Sequence, residues 1–321
     1  MPLLFDMPLE KLYTYEGTNP CPADFDDYWD KALAEMNAVD PKIALVPADF
    51  QTPYAECSHL YFTGVGGARV HAKLLRPKNA SKPHPAVLMF HGYSGSSGDW
   101  VDKLGYVAMG YTVAALDCRG QGGLSEDNGT YQGWTLRGHI IRGLDDDAPE
   151  KLYYRQMYLD TAQLAKIVLD MPDVDPKRVG AMGGSQGGGL TLACVGLEPR
   201  IQRAAPVFPF LSDYQRTWEI DQAKDAYAEL KEYFRKFDPR HQRKAEIFTK
   251  LGYIDVQFLA PRIRSEILLS VGFMDTICPP STQFAAYNKI TAKKSLLIYP
   301  DFGHEGLPGN PDENFKFMAQ L

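Results

Sequence analysis

The chain has 321 residues, of which 45% are hydrophobic and 23% charged, and this composition is typical of a globular protein. Its formal net charge of −6, with no basic run, argues against a nucleic acid or an anionic membrane as partner. The N-terminal segment MPLLFDMPLEKL lacks the features of a signal peptide, and no segment has the length of a membrane span. The five cysteines form no C-x-x-C pair, and we interpret them as small buried thiols. A reducing cytoplasm is therefore the predicted location.

The first predicted element is a surface helix over residues 22–37, which opens with Asp24 as a capping residue. Two β-rich runs follow at 57–63 and 69–77, and the turn GVGGA between them predicts a hairpin. The apolar run HPAVLMFHG at 84–92 is typical of a strand buried on both faces. The chain therefore begins with an N-terminal helical extension, assigned to residues 1–55, ahead of a sheet.

Strand-like and helix-like segments then alternate along the chain. The predicted strands cover residues 111–117, 178–183, 203–208, 265–272 and 295–300. The predicted helices cover residues 156–171, the residues after Ser185, and 281–290. This alternation indicates an α/β fold with a mostly parallel central sheet flanked by helices.

Two segments interrupt the alternation. Residues 119–155 are Gly-rich and polar, as in a long loop that is either functional or disordered. Residues 212–261 are heavily charged and predict a helical insertion, with one helix over EIDQAKDAYAELKEYFRKF and a second one broken by proline. Such an insertion covers a site or makes a subunit contact. We predict a single domain over residues 1–321 that carries this insertion.

The stretch AMGGSQGGGL at 181–190 concentrates five glycines around one serine. Glycine inside a regular element costs about 0.5–1 kcal/mol relative to alanine, so the cluster needs a local reason. GGSQG is a G-x-S-x-G motif between a predicted strand and a predicted helix, the setting in which a tight turn exposes a nucleophilic serine. The alternative is a flexible Gly-rich turn without chemistry.

A serine hydroxyl needs a base, and the base needs a carboxylate to orient it. In this fold the partners follow in the order serine, acid, histidine. Asp275 and His304 meet that order, and each follows a predicted strand that ends at the same edge of the sheet. Taken singly, Asp275 is also compatible with an Asp-led turn and His304 with a surface or capping histidine.

The site also needs donors for the negative charge that develops on the substrate oxygen. The segment HGYSG at 91–95 follows the first buried strand and is placed to supply the backbone N–H of Tyr93. The second donor is the N–H of Gln186, directly after the serine. A plain Gly-containing strand exit is the alternative for HGYSG.

These residues resemble carbohydrate esterase family seven, the acetyl xylan esterases and cephalosporin C deacetylases of the α/β-hydrolase superfamily. The resemblance rests on three motifs: RGQG at 119–122, GGSQGG at 183–188, and His304-Glu305. It extends from FDMPLEKLYTYEG near the N-terminus to FGHEG, which is nearly the whole chain.

The resemblance implies the α/β-hydrolase fold, with Ser185 as nucleophile, His304 as base and acid, and Asp275 as its partner. It also implies the oxyanion donors Tyr93 and Gln186. Family members release acetate from short acetylated xylo-oligosaccharides and from the acetoxymethyl group of cephalosporins. They need no metal and no organic cofactor, and they commonly form a cytoplasmic hexameric ring. These properties are expectations for this chain.

The resemblance also suggests supporting residues and pocket walls. Arg119 and Gln121 are expected to brace the active-site loops by hydrogen bonds, the alternative being an arginine on a solvated loop. The candidate walls of a shallow acyl pocket are Tyr93, Phe208, Pro209 and Ile277, although Phe208 also suits core packing.

Two other functions compete with a deacetylase. A short-chain carboxylesterase or a serine exopeptidase would use the same three residues, although residues 1–83 are too short for the propeller domain of many such peptidases. A non-catalytic hydrolase fold that serves as a binding module is the rival from a different class, and an intact set of catalytic residues argues against it.

Overall fold

The computed structural model describes residues 5–132 and 138–321 of the chain. Residues 1–4 of the predicted N-terminal extension and residues 133–137 of the predicted long loop lie outside the described residues. None of the helices in these two described ranges has both the length and the apolar composition that crossing a bilayer requires.

Nine strands in the described part of the chain form one sheet. In chain order they are β1 Ala44–Pro47, β2 Ala55–Thr63, β3 Arg69–Pro77, β4 His84–Phe90, β5 Thr112–Leu116, β6 Val174–Gly184, β7 Arg203–Val207, β8 Glu266–Gly272 and β9 Lys294–Tyr299. The spatial order is β1-β2-β3-β5-β4-β6-β7-β8-β9. The pairs from β1 to β5 along this order are antiparallel, and the remaining pairs are parallel. The predicted hairpin and the mostly parallel sheet are thereby confirmed.

Helices flank this sheet. They are α1 Leu9–Leu12, α2 Phe25–Ala38, α3 Leu104–Ala108, α4 Tyr153–Leu169, α5 Gln186–Leu197, α6 Tyr214–Glu219, α7 Ala228–Phe237, α8 Lys244–Gly252, α9 Val256–Leu259, α10 Pro280–Lys289 and α11 Asn310–Met318. Successive residues of a strand point to opposite faces, so each central strand feeds two cores. In β4, Leu88 belongs to the large cluster that includes α4 and α5, and Val87 belongs to a smaller cluster with α3 and α11. This double burial explains why β4 is apolar from Pro85 to Phe90.

The structure corrects two predictions about helices. Asp24 precedes α2, but its side chain caps no N–H of that helix and instead accepts a hydrogen bond from the Tyr253 hydroxyl at 2.5 Å. The stretch predicted as one helix over residues 219–237 is broken, because α6 ends at Glu219 and α7 begins at Ala228. Asp221 and Asp225 adopt φ values of 57° and 47° between the two helices, which a right-handed helix does not allow.

The insertion between β7 and β8 holds the N-terminal extension in place. Asp213, fully buried at the start of α6, accepts hydrogen bonds from the Tyr15 hydroxyl at 2.7 Å and from the backbone N–H of Asn19 at 2.9 Å. Two segments that are far apart in the sequence are therefore packed against each other beside the sheet.

Candidate active site

Ser185 lies at a sharp turn between β6 and α5. Its backbone has φ 58° and ψ −119°, a region that a residue with a side chain rarely adopts. Neighbouring segments hold this conformation: Ser185 N–H donates to the Val207 carbonyl at 3.0 Å, and the Ser185 carbonyl accepts from Phe210 N–H at 3.0 Å. The strain is therefore imposed by surrounding structure on the residue that carries the hydroxyl.

Four of the five glycines in this segment, at positions 183 and 187–189, have a steric reason, because a Cβ on any of them would lie within 2.7 Å of a backbone oxygen. A Cβ placed on Gly183 would lie 2.5 Å from the carbonyl oxygen of Phe90, and one on Gly187 would lie closer still to the same oxygen. The end of β4 thus passes directly over the turn. The glycines therefore belong to a tight turn and not to a flexible loop.

Asp275 and His304 reach the same edge of the sheet from the ends of β8 and β9. The Ser185 hydroxyl donates to His304 Nε2 at 2.9 Å, and His304 Nδ1 donates to Asp275 Oδ2 at 2.8 Å. The other oxygen, Asp275 Oδ1, accepts from the backbone N–H groups of Ile277 at 2.9 Å and Cys278 at 2.8 Å. Asp275 is fully buried, and the His304 side chain is 20% exposed. This chain of hydrogen bonds can activate a serine for attack on a carbonyl.

The two expected oxyanion donors lie beside the serine. Phe90, the last residue of β4, is paired with Gly183 of β6, so the loop 92–98 that carries Tyr93 leaves the sheet next to the serine turn. Gln186 is the first residue of α5, where a helix leaves its N–H groups without partners inside the helix. The segments that carry Tyr93 and Gln186 therefore both lie at the end of the sheet where Ser185 lies.

The side chain of Gln186 connects three segments. Its Oε1 accepts from the Tyr154 hydroxyl at 2.9 Å and from Gln121 Nε2 at 2.9 Å. In return its Nε2 donates to Gln121 Oε1 at 3.0 Å, and that oxygen also accepts from Ser94 N–H at 2.9 Å. Gln121 thus connects the loop of Tyr93 to the first residue of α5.

Arg119 is buried, with 2% of its surface exposed, and it pairs with Asp160 of α4. Nε and Nη2 donate to the two carboxylate oxygens at 2.5 and 2.7 Å, and Nη1 donates to the Val65 carbonyl at 2.9 Å. A bidentate pair of this kind fixes the direction of both side chains. Arg119 therefore lies in the protein interior and not on a solvated loop.

The four proposed wall residues have different surroundings. The Phe208 ring lies 4.5 Å from the His304 ring, measured between centroids, and is half-buried. Ile277 is also half-buried and follows Asp275 by two residues. Pro209 is buried against Gly188 in the first turn of α5. The Tyr93 ring packs against His139 and Phe210.

The family model for acetyl xylan esterase (AXE1) matches residues 1–321 of the chain. The chain belongs to the acetyl xylan esterase family. It is 60% identical to the solved acetyl xylan esterase 1 from Thermoanaerobacterium sp. JW/SL YS485, with a TM-score of 0.97 over 98% of this chain and 99% of that one. It is 36% identical to the acetyl xylan esterase from Paenibacillus sp. R4, with a TM-score of 0.92 over 98% of this chain and 100% of that one.

A curated relative, acetyl esterase Axe7A from Xylanibacter ruminicola, is 27% identical over 285 residues. The match includes 87% of this chain but spans only 62% of the length of that relative. The predicted α/β-hydrolase fold is confirmed by the sheet and by the solved structures. As its name states, the acetyl xylan esterase family is one of carboxylic ester hydrolases.

One group of potential metal ligands in the described ranges includes two residues of the candidate active site. Atoms of Asp275, Cys278 and His304 lie within 4.8 Å of one another. Both Asp275 oxygens and both His304 nitrogens already take part in hydrogen bonds, and burial raises the pKa of the Cys278 thiol well above its ordinary value. A metal would require a thiolate and would displace those bonds, so the donor set fits proton transfer better than metal binding.

Two buried acidic residues that contact loops near the candidate site were not predicted from the sequence. Glu229 of α7 accepts a hydrogen bond from the N–H of Ile140, and burial raises its pKa to about 8. Asp117, after β5, accepts hydrogen bonds from Ser97 N–H at 2.6 Å and Leu124 N–H at 2.9 Å. The sequence carries no motif that would indicate Glu229. The only sequence signal for Asp117 is its place two residues before the RGQG motif.

Proposed function

We propose that this protein is a serine esterase that removes acetyl groups from short acetylated xylo-oligosaccharides and from acetyl esters of the cephalosporin C type. The observation that carries the proposal is the hydrogen-bond chain from Ser185 through His304 to Asp275, with lengths of 2.9 and 2.8 Å. Membership of the acetyl xylan esterase family supports the acetyl ester as substrate. The names of the relatives support xylan-derived sugars as the alcohol part.

In the proposed mechanism His304 Nε2 takes the proton of Ser185 while the hydroxyl oxygen attacks the acetyl carbonyl carbon. The imidazolium then gives this proton to the sugar oxygen, the ester bond breaks, and the acetyl group remains on Ser185. Water, deprotonated by His304, attacks the acetyl-enzyme, the ester bond to Ser185 breaks, and the imidazolium returns the proton to the Ser185 oxygen as acetate is released. Asp275 keeps the imidazole in the tautomer that this cycle needs and stabilises its positive charge. No metal or organic cofactor enters these steps.

The backbone N–H groups of Tyr93 and Gln186 are the proposed oxyanion donors in both steps. One such donor is worth about 10²- to 10³-fold in rate. The proposed preference for acetyl follows from the bulk of the ring beside the base, since Phe208 occupies the space next to His304. Arg119 and Gln121 support the site through their bonds to α4 and to Gln186.

The proposal is tested with acetyl, butyryl and octanoyl esters and an aminoacyl amide, using the wild type and Ser185→Ala. We expect the acetyl ester to be the best substrate and the substitution to abolish its hydrolysis. Activity that survives Ser185→Ala would end the assignment of the nucleophile. A preference for octanoyl or for the amide would support the general carboxylesterase or the exopeptidase, and inactivity on all four would support the binding module.

The predicted hexameric ring, single domain and cytoplasmic location also belong to this proposal, because they rest on the sequence and on the family resemblance. Light scattering on the purified protein tests the assembly. A mass of six chains is expected, and a monomeric mass would overturn the ring.

A further inference from the structure

The helical insertion reaches the ring of Tyr93 from two sides. This ring lies between the rings of His139 and Phe210, with centroid distances of 5.0 and 5.7 Å. His139 belongs to the loop before α4, and Phe210 follows β7. Each of these two residues is in turn contacted by a residue at or just before the start of α7, the helix Ala228–Phe237 of the insertion.

The first support is Glu229, in the first turn of α7. It is 2% exposed, and its Oε1 accepts a hydrogen bond from the N–H of Ile140, next to His139. Burial raises the pKa of Glu229 to about 8, while the N–H groups of residues 139–141 act in the opposite direction. These contacts fix the backbone that carries the His139 ring.

Glu229 also lies beside Tyr93 itself. Gly138 has a φ of 64°, and a Cβ placed there would lie 2.5 Å from the Tyr93 hydroxyl oxygen and 2.7 Å from Glu229 Oε1. The glycine thus occupies the narrow space that the tyrosine and the carboxyl group share. A side chain at position 138 would have to displace the ends of both Tyr93 and Glu229.

The second support is Tyr227, in the turn before α7. Its ring lies 4.3 Å from the Phe210 ring, and its hydroxyl accepts a hydrogen bond from Leu211 N–H at 3.1 Å. Tyr227 is fully buried. The insertion therefore fixes both neighbours of the Tyr93 ring, one through a carboxyl group and one through an aromatic ring.

We propose that the insertion sets the oxyanion hole, and that Glu229 is a positioning residue that acts through residues 139–141 on Tyr93. The inference rests on the proposed esterase function and on Tyr93 N–H as an oxyanion donor. A donor must lie within a few tenths of an ångström of its place to stabilise the transition state, and a 1 Å error costs about 10²-fold in rate. A residue in the insertion can therefore control the reaction without touching the substrate.

The test uses Glu229→Ala and Glu229→Gln, with Asp238→Ala as the matched control. Asp238 is a buried acid of the same insertion that accepts from Gln242 N–H and Arg243 N–H, each at 2.8 Å, so its contacts stay within the insertion. The kcat for an acetyl ester is expressed per active site, titrated with a serine-reactive phosphonate. The Ki of a boronic acid, whose adduct places an oxygen in the oxyanion hole, is measured in parallel.

We expect Glu229→Ala to lower kcat about 10- to 100-fold, to leave KM within about threefold, and to weaken the boronic acid by a similar factor. Glu229→Gln keeps an oxygen that accepts from Ile140 N–H, so it is expected to retain most of kcat. Asp238→Ala is expected to lower the melting temperature while each titrated site keeps its kcat.

Unchanged kcat per titrated site in Glu229→Ala, or an equal loss in Asp238→Ala, would overturn the inference. If Glu229→Ala does not fold, Glu229→Asp carries the test, because its carboxyl group is one methylene short of residues 139–141 and the same loss of kcat is required. An inactive wild type would instead overturn the proposed function, so the two failures are distinguishable.

Discussion

The Asp275–His304 pair of the candidate active site and the Asp117–His71 pair between β3 and β5 use the same groups in different surroundings. The hydrogen bonds between imidazole Nδ1 and carboxylate are 2.8 and 2.6 Å long. Each carboxylate also accepts from two backbone N–H groups, those of Ile277 and Cys278 in the first case and of Ser97 and Leu124 in the second. The two carboxylates therefore have the same number and kinds of hydrogen-bond donors.

The pairs differ at the other nitrogen of the imidazole. His304 Nε2 lies 2.9 Å from the Ser185 hydroxyl, and its side chain is 20% exposed. His71 Nε2 lies 2.8 Å from His59 Nδ1, and its side chain is fully buried. An aspartate–histidine pair is thus not catalytic by itself. It needs a nucleophile on a constrained backbone and access for a substrate, and His71 has neither.

Asp117 has a structural role. It joins the loop 92–98, which carries Tyr93, to the loop after β5, because its two oxygens accept from one N–H in each loop. Burial alone would raise the pKa of Asp117, but the bonds from His71 and from the two N–H groups lower it well below its ordinary value. These hydrogen bonds therefore keep the Asp117 carboxylate ionised.

The largest expected effect is that of Asp275→Asn, which removes the charge but keeps the shape. We expect kcat for an acetyl ester to fall about 10⁴-fold, because the amide no longer selects the tautomer that activates Ser185. Steady-state kinetics on titrated enzyme measure this. A loss below about tenfold would show that the two pairs are more alike than their surroundings indicate.

The corresponding change at the other pair, Asp117→Asn, should affect stability more than chemistry. The free energy of unfolding is expected to fall by about 1–3 kcal/mol, since an amide cannot accept all three hydrogen bonds of the carboxylate. The value of kcat should stay within about tenfold of the wild type. Urea unfolding and kinetics on the same preparation separate the two effects, and a loss of kcat as large as that of Asp275→Asn would reverse the assignment.

The contribution of Asp117 should also depend on pH with a defined sign. Its pKa is lower in the folded than in the unfolded protein, where it is about 3.9, so folding favours the ionised form. The stability difference between wild type and Asp117→Asn should be complete above about pH 5 and should shrink as pH falls below about 4. Urea unfolding at several pH values measures it. A difference that grows on acidification would contradict this order of pKa values.

The smallest expected effect concerns His59, whose Nδ1 lies 2.8 Å from Nε2 of His71 in the second pair. Burial, followed by the neighbouring His71, lowers the pKa of His59 from its ordinary value of about 6.5. An NMR titration of the imidazole should therefore place its pKa below 6.5, and His71→Asn should move it back upward. A pKa above 6.5 in the wild type would mean that His59 is held in its charged form.

The two pairs also mark what could be predicted from the sequence. Ser185, Asp275 and His304 were predicted because each follows a strand and because their order along the chain has a chemical reason. The central strands were predicted because burial on both faces makes them largely apolar, as in β4. The strand signal lies within a few neighbouring residues, whereas the serine–acid–histidine order is a signal along the whole chain.

What could not be predicted depends on contacts between distant residues. His71 and Asp117 are 46 positions apart, and Ile140 and Glu229 are 89 positions apart, with no local pattern that joins them. The break between α6 and α7 was not predicted either. The composition of the segment favours a helix, and nothing in it signals the positive φ values at Asp221 and Asp225. The short strand β1 and the helices α3 and α11 also carried too little periodicity to be predicted.

The carbonyl of Phe90 has a consequence for how this enzyme family can diversify. Because that oxygen occupies the space that a side chain at position 183 or 187 would need, the turn around Ser185 is closed to variation. The loop 92–98, which leaves the sheet next to the turn, is not restricted in this way. The close approach of one carbonyl oxygen thus limits the sequence of the turn itself more than that of its neighbour.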